Sequence, residues 1–301
     1  MLTVRIGTRG SKLALAQTNH VLDLLQNRDI PAVSETITTK GDVVLDRGLH
    51  QIGGQGVFVR ELDNAILRGE IDAAVHSMKD IPAERPKGLI TAAILPRDPP
   101  WDYLAFNRPM DEIYAIGTSS TRRRAQLLRY YHCMPTVRVE PLRGNVDTRL
   151  SKLNDGLYDA IVLAEAGLVR LGYRVNGVTM PLEHFVPSPN QGTVAVVCRD
   201  TPELREVFAS LNDSRTALDT GIERVIMEAV GGGCFTPQGI FCREGNLLAE
   251  VLSLDGMRQV RIRENVSSFE EAKEIGVQLR ESAADLIEEA RMSLGLQKND
   301  R

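Results

Sequence analysis

Cysteine is scarce in this chain, with four thiols in 301 residues, at positions 133, 198, 234 and 242. No two form a C-x-x-C pair, and none stands at zinc spacing from any of the five histidines. That pattern excludes a disulfide framework and gives no metal site. No apolar run approaches the roughly 20 residues that a bilayer crossing needs. The N-terminus has no apolar core followed by a small-residue cleavage site, so a secretory leader is not expected. An excess of charge is also missing: 36 Lys and Arg stand against 40 Asp and Glu, a net charge of −4. This balance argues against nucleic acid as a partner. The expected setting is the reducing cytoplasm.

What is present is ordinary globular composition, 43% hydrophobic and 25% charged. The length suggests about two domains. Thr3 to Gly7 alternates as a strand does, and Ser11 stands as N-cap to an apolar periodic run through Leu13, Ala14, Val21, Leu24 and Leu25. A short strand is expected around Ile37, a loop over Gly41–Gly56, a helix over Val57–Leu67 and a strand over Asp72–His76. Two short patterns then recur in order. Ile6-Gly7-Thr8 with Ser11 returns as Ile116-Gly117-Thr118 with Thr121, and Gly69-x-x-Asp72-Ala73-x-Val75 returns as Gly156-x-x-Asp159-Ala160-x-Val162. The echo predicts two α/β lobes of similar build.

Proline-rich crossings at Pro96–Pro100 and Pro187–Pro189 bracket the second lobe. The expected division is residues 1–95 plus about 190–212 for lobe 1, with 96–189 forming lobe 2. Ala195–Cys198 then reads as a strand rejoining lobe 1. Residues 213–301 read as a small α+β domain: a helix over Ala217–Val230, three strands joined by hairpin turns, and one long amphipathic helix over Phe269–Met292. Its apolar positions are 272, 275, 279, 283, 286 and 290.

The small net charge conceals a local imbalance. The first 22 residues carry Arg5, Arg9 and Lys12 and no acid, and residues 117–149 carry seven arginines against Glu140 and Asp147. Arginine forks beside helix N-termini suit carboxylate or phosphate, so a polyanion-binding cleft is expected. His76-Ser77-Met78-Lys79-Asp80 ends a strand, where a carboxylate beside a lysine can pass protons or stabilise a cation. His76 itself reads as a hydrogen-bonded packing residue. Gly53-Gly54-Gln55-Gly56 reads as a mobile loop, since it matches no nucleotide-binding pattern. Cys234 follows three glycines, which allow a thiol to be presented closely, whereas Cys198 and Cys242 sit in apolar strands as packing residues.

Taken in order along the chain, these segments resemble porphobilinogen deaminases, also called hydroxymethylbilane synthases. The resemblance rests on Arg5–Leu15, Gly53–Phe58, His76–Pro82 and Gly117–Ser120 with Arg122 and Arg123. It continues through Leu142–Val146 with Thr148–Leu150, and through Gly232-Gly233-Cys234. It implies two type II periplasmic-binding-protein-like α/β lobes plus a small α+β domain, and a monomer acting on porphobilinogen. It also implies a dipyrromethane cofactor attached by a thioether to Cys234, on which four porphobilinogen molecules are joined head to tail. Hydroxymethylbilane and ammonia are then released.

By the same resemblance Asp80 is the catalytic acid and base. Lys79, Ser77, Thr118, Ser120, Arg122, Arg123 and Arg143 meet the cofactor, and Arg9, Ser11, Arg149, Arg170 and Gln191 meet the substrate. Gln51 and Gln55 stand where basic residues are common in the family, and Gly231 replaces a frequent acid. A non-enzymatic two-lobed binder of small polyanions is the competing reading, but it gives no role to Asp80 or Cys234.

Overall fold

A computed structural model describes residues 3–37, 57–82, 85–134, 136–231 and 235–293. The chain divides into two compact units: Met1–Pro99 with Val169–Tyr173 and Gln191–Ala217, and Pro100–Leu168 with Arg174–Asn190 and Leu218–Arg301.

The first unit is built on β1 (Val4–Thr8), β2 (Ala32–Thr36), β3 (Ala73–Ser77), β4 (Leu89–Ile94) and β10 (Val194–Arg199). They form one sheet in the order β2-β1-β3-β10-β4. β2, β1 and β3 run parallel, while β10 lies antiparallel to both of its neighbours. Because side chains alternate across a strand, Ala73, Val75, Val194 and Val196 face one side with Val21 and Leu25 of α1 (Lys12–Gln26). Phe208 of α6 (Pro202–Ala209) joins that cluster. Ala74, Ala195 and Val197 face the other side with Leu62 and Ile66 of α2 (Val57–Leu67). Both faces are therefore covered, as a largely parallel sheet requires. The second strand lies at 32–36, a few residues before the position expected at Ile37.

In the second unit, β5 (Asp102–Phe106), β6 (Ala115–Gly117), β7 (Arg138–Glu140), β8 (Ala160–Ala164) and β9 (Gly177–Thr179) pair in the order β7-β6-β8-β5-β9. β7, β6 and β8 are parallel and β5 is antiparallel to both neighbours, the same order and polarity as in the first sheet. Helices α3 (Thr121–Tyr130), α4 (Val146–Asn154) and α5 (Glu165–Arg170) follow β6, β7 and β8.

The repeated G-x-x-D pattern has a physical cause. Gly69 and Gly156 both take left-handed backbone, at φ 74° and 72°, which glycine adopts without a Cβ penalty. The acid three residues on then clamps the neighbouring parallel strand. Asp72 accepts from the Arg5 backbone N–H at 2.9 Å, and Asp159 accepts from those of Tyr114 and Ala115 at 3.0 and 2.9 Å. The glycine of Ile-Gly-Thr answers to packing: an added Cβ would lie 2.2 Å from Ile71 Cδ1 at Gly7 and 2.9 Å from Tyr158 Cδ1 at Gly117.

The rest of the second unit is an antiparallel meander of β11 (Gln238–Arg243), β12 (Asn246–Leu252) and β13 (Gln259–Asn265), preceded by α7 (Ser214–Val230). Ile222 and Ile226 of α7 share a core with Ile240, Leu247 and Val251. The single long helix expected over 269–292 is two, α8 (Phe269–Ser282) and α9 (Ala284–Ser293). Ala283 departs from helical dihedrals with φ −107° and ψ 16°, yet the backbone bonds Ala283 N–H to Leu279 O and Ile287 N–H to Ala283 O continue the ladder. The apolar stripe therefore survives the break, and Ala272, Ile275, Leu279, Ala283, Leu286 and Ala290 are all buried. The fold class is the expected one, α/β lobes of matching strand order with an added α+β segment. Among the described residues, no helix is long and apolar enough to cross a membrane.

Candidate active site

In the first unit the expected site residues follow the carboxyl ends of two adjacent parallel strands, β1 and β3. In open α/β sheets ligands bind outside these strand ends. Thr8 ends β1 and is followed by Arg9. Ser11 caps α1, its Oγ accepting from the Ala14 N–H at 3.3 Å. The first turn of α1 carries no acid, and the positive end of a helix favours anions.

From β3 the chain passes through Ser77 into a single 3₁₀ turn, Met78–Asp80. Met78 N–H donates to Thr193 O at 2.9 Å and Ile81 N–H returns to Met78 O at 3.1 Å, so the turn is fixed at both ends. Met78 is buried in the core and Lys79 and Asp80 are exposed. The Asp80 carboxylate thus stands in solvent on an anchored turn. Gln17, buried in α1, donates to Ser77 Oγ at 2.8 Å and orients that hydroxyl.

A second anchored turn lies in the same unit. Gln191 is buried; its side-chain Oε1 accepts from Lys79 Nζ at 3.4 Å and its backbone oxygen from Arg97 Nε at 2.8 Å. Arg170 donates to Asp98 Oδ2 at 2.7 Å and to Gly192 O at 2.6 Å. These bonds place Arg170 in the frame that holds Gln191.

His76 is buried, but its Nε2 finds no hydrogen-bond partner among the described residues, which corrects the expectation of a bonded packing histidine at that atom. Burial, reinforced by the positive charges of Arg85 and Arg9, pushes its pKa down to about 3 and keeps the ring neutral.

The second unit repeats the plan. β6 ends at Gly117, and buried Thr118 accepts from the Ser120 N–H at 3.2 Å through its hydroxyl. Ser120 caps α3 and accepts from the Arg123 N–H at 3.4 Å; the first turn of α3 again carries no acid.

Arg122 and Arg123 are both buried, and both rest on one carboxylate, Asp102 at the start of β5. Arg122 Nη1 lies 2.6 Å from Asp102 Oδ2, and Arg123 Nη2 lies 2.8 Å from Oδ1. Each also donates to a backbone carbonyl, Arg122 to Val186 and Arg123 to Val162. Two guanidinium charges on one carboxylate leave a net positive charge. Asp102 carries no sequence signature of this role, because nothing in its spacing links it to α3.

Arg149 lies on α4, and its Nε donates to Gly144 O at 2.8 Å. Burial, with the like charge of Arg123 second, lowers its pKa to about 10. Arg143 is exposed on the turn after β7. Glycine loop residues 53–56, with Gln51 and Gln55, and the Gly232-Gly233-Cys234 segment lie outside the described residues. Among those described, no group of three or more His, Cys, Asp or Glu side chains is placed to hold a metal ion.

The chain is similar to known proteins along most of its length. A family model described as "Porphobilinogen deaminase, dipyromethane cofactor binding domain" matches residues 4–206. The "Probable porphobilinogen deaminase" of Methanosarcina acetivorans is 47% identical over 305 residues, covering 96% of this chain and 95% of the relative. The protein of the same name from Methanosarcina mazei is 46% identical, covering 96% of each. Among solved structures, a periplasmic substrate-binding protein of an ABC transporter from Coxiella burnetii aligns with 74% of this chain and 97% of its own, at 13% identity and TM-score 0.42. The matched span holds both α/β sheets and every described residue of the candidate site, and on it the chain belongs to the porphobilinogen deaminase family, transferases of tetrapyrrole biosynthesis.

Proposed function

We propose that this chain deaminates porphobilinogen and joins four molecules head to tail on a dipyrromethane held through a thioether by Cys234, releasing hydroxymethylbilane and ammonia. The observation that carries the proposal is Arg149, a partly buried guanidinium that feels the like charge of Arg123, its pKa lowered to about 10. A cation held in that setting is relieved by an anionic ligand, and every pyrrole of the substrate and product brings an acetate and a propionate.

The donor types suit the carboxylates of such a cofactor. Arg122, Arg123, Arg143 and Arg149 supply guanidinium forks, Lys79 an ammonium, and Ser77, Thr118 and Ser120 hydroxyls. Arg9, Ser11, Arg170 and Gln191 are assigned to the incoming substrate. Arg122, Arg123 and Arg170 already hold internal partners, so they act with fixed orientation through N–H groups not spent on those bonds. Each charge-assisted bond contributes about 1.5–3 kcal/mol. The bound dipyrromethane supplies the pyrrole carbon at which the first addition takes place.

Asp80 performs the proton chemistry. Its exposed carboxyl group, held on the Met78–Asp80 turn, delivers a proton in its acid form toward the leaving amine of porphobilinogen and becomes the carboxylate. It then faces the cation left behind and takes up the proton released after bond formation. One carboxylate serves all three needs because it carries charge and exchanges a proton. Lys79, drawn to Gln191, stays beside it without spanning the turn.

Intact-mass measurement tests the proposal. Freshly expressed protein is expected to carry a dipyrromethane adduct, absent from Cys234→Ser. A wild-type mass equal to the bare chain, unchanged after incubation with porphobilinogen, overturns it.

A further inference from the structure

We infer that Gln126 and Glu250 form a positioning relay that sets the Arg122 guanidinium for an anionic ligand and ties it to the β11–β13 sheet. The inference rests on the carboxylate-binding role proposed for Arg122. Arg122, Gln126 and Arg129 are spaced by four and three residues, so they share one stripe of α3.

Gln126 is fully buried in the middle of that stripe. Its Oε1 accepts from Arg122 Nη1 at 2.8 Å, and its Nε2 donates to Val186 O and to Glu250 Oε1, both at 2.9 Å. Guanidinium offers no acceptor, and carboxylate and carbonyl offer no donor. The amide therefore has a single orientation; turned over, it would set NH₂ against NH₂ and oxygen against oxygen.

Glu250, on β12, is fully buried as well. Its second oxygen accepts from Arg129 Nη1 at 3.2 Å and Arg261 Nε at 3.1 Å, which satisfies the charge without help from the site. A carboxylate so held is a fixed reference point. Through Gln126 it helps fix Arg122 Nη1, while Asp102 accepts from both Nη1 and Nη2. Neither Gln126 nor Glu250 needs to touch a ligand, and low-dielectric surroundings strengthen each link.

β12 pairs directly with β11, the first strand after residues 232–234. Leu252 N–H, at the end of β12, donates to Pro237 O at 2.9 Å. The relay thus connects the helix bearing the arginine pair to the sheet that continues from the segment proposed to carry the cofactor. Within this unit α3 and the β11–β13 sheet share one buried polar support.

The test follows adduct formation by intact mass when cofactor-free protein is incubated with porphobilinogen, alongside the thermal midpoint of each variant. Gln126→Met and Q126E are expected to load about tenfold more slowly than wild type, the equivalent of one hydrogen bond to a charged group. The double exchange of Q126E with E250Q swaps donor and acceptor and keeps the net charge; it is expected to restore loading to within about threefold. Loading of Gln126→Met at the wild-type rate overturns the inference, even if its midpoint falls, and so does a double variant no faster than Q126E. If wild type forms no adduct, or Arg122→Lys loads normally, the underlying reading of Arg122 falls and takes the relay with it.

Discussion

Asp102 accepts from both Nε and Nη2 of Arg123, at 3.0 and 2.8 Å, with its carboxylate fully buried. The same carboxylate serves Arg122, so its removal strands two buried cations at once. Asp102→Ala is expected to lose about 3–5 kcal/mol of stability in denaturant unfolding, the usual cost of breaking a buried pair from one side. A loss under about 1 kcal/mol would mean that water reaches the two guanidiniums and that the pair is a surface feature.

The catalytic assignment makes a separate claim. Asp80→Asn keeps the size and the anchored turn but removes the exchangeable proton. The variant is expected to keep its covalent adduct and its thermal midpoint while turnover falls by about a thousandfold or more, toward the upper range for general acid–base catalysis. Near-normal turnover measured by product absorbance would free Asp80 of its role.

Two buried groups of the first unit set opposite pH slopes. Burial raises the Asp63 carboxyl from 3.8 to about 6, against the charge of Arg85 that sits 2.7 Å away. The folded state then binds that proton more readily than the unfolded chain, so its contribution to stability falls as pH rises from about 4 to 6. The difference amounts to about 3 kcal/mol at 1.36 kcal/mol per pKa unit. His76, lowered from 6.5 to about 3, works the other way: below pH 6.5 the unfolded chain gains a proton that the folded ring refuses. Chemical unfolding across pH 4–7 is expected to show Asp63→Asn without the first slope and His76→Gln without the second. Identical pH profiles for wild type and both variants would remove both assignments.

Thiol reactivity separates the described cysteines. Burial, with nearby Asp200 for one and Asp219 for the other, pushes Cys198 up to about 11 and Cys242 up to about 12, while Cys133 is exposed. At pH 8 iodoacetamide is expected to modify Cys133 and to spare the two buried thiols until the protein is unfolded. Peptide mass spectrometry reads this directly, and comparable labelling of Cys198 in the folded protein would contradict its packing.

Much of this was legible in advance because it rests on local pattern. Ser11 as a cap, the Val57–Leu67 helix and the buried stripe from Ala272 to Ala290 follow from periodicity and capping chemistry. The G-x-x-D echo marked real equivalence because a left-handed glycine and a strand-clamping acid are both needed at that spacing. Partners distant in sequence left no such trace. Asp102 lies 20 residues from Arg122, Glu250 lies 124 from Gln126, and Asp98 lies 72 from Arg170. No periodicity encodes those pairings, so arginines that read as open ligand forks prove to hold protein partners as well.

The strand order of the first sheet bears on how the chain is made. β5 to β9 are contiguous in sequence, so the second sheet is complete once Thr179 has been synthesised. The first sheet must wait, because β10 at Val194–Arg199 is inserted between β3 and β4, and among the described residues β4 has no other neighbour in the sheet. A nascent chain therefore carries an unfinished N-terminal sheet, with the free edges of β3 and β4 exposed, while the sheet that follows it closes first. The later half of the chain thus finishes the earlier one.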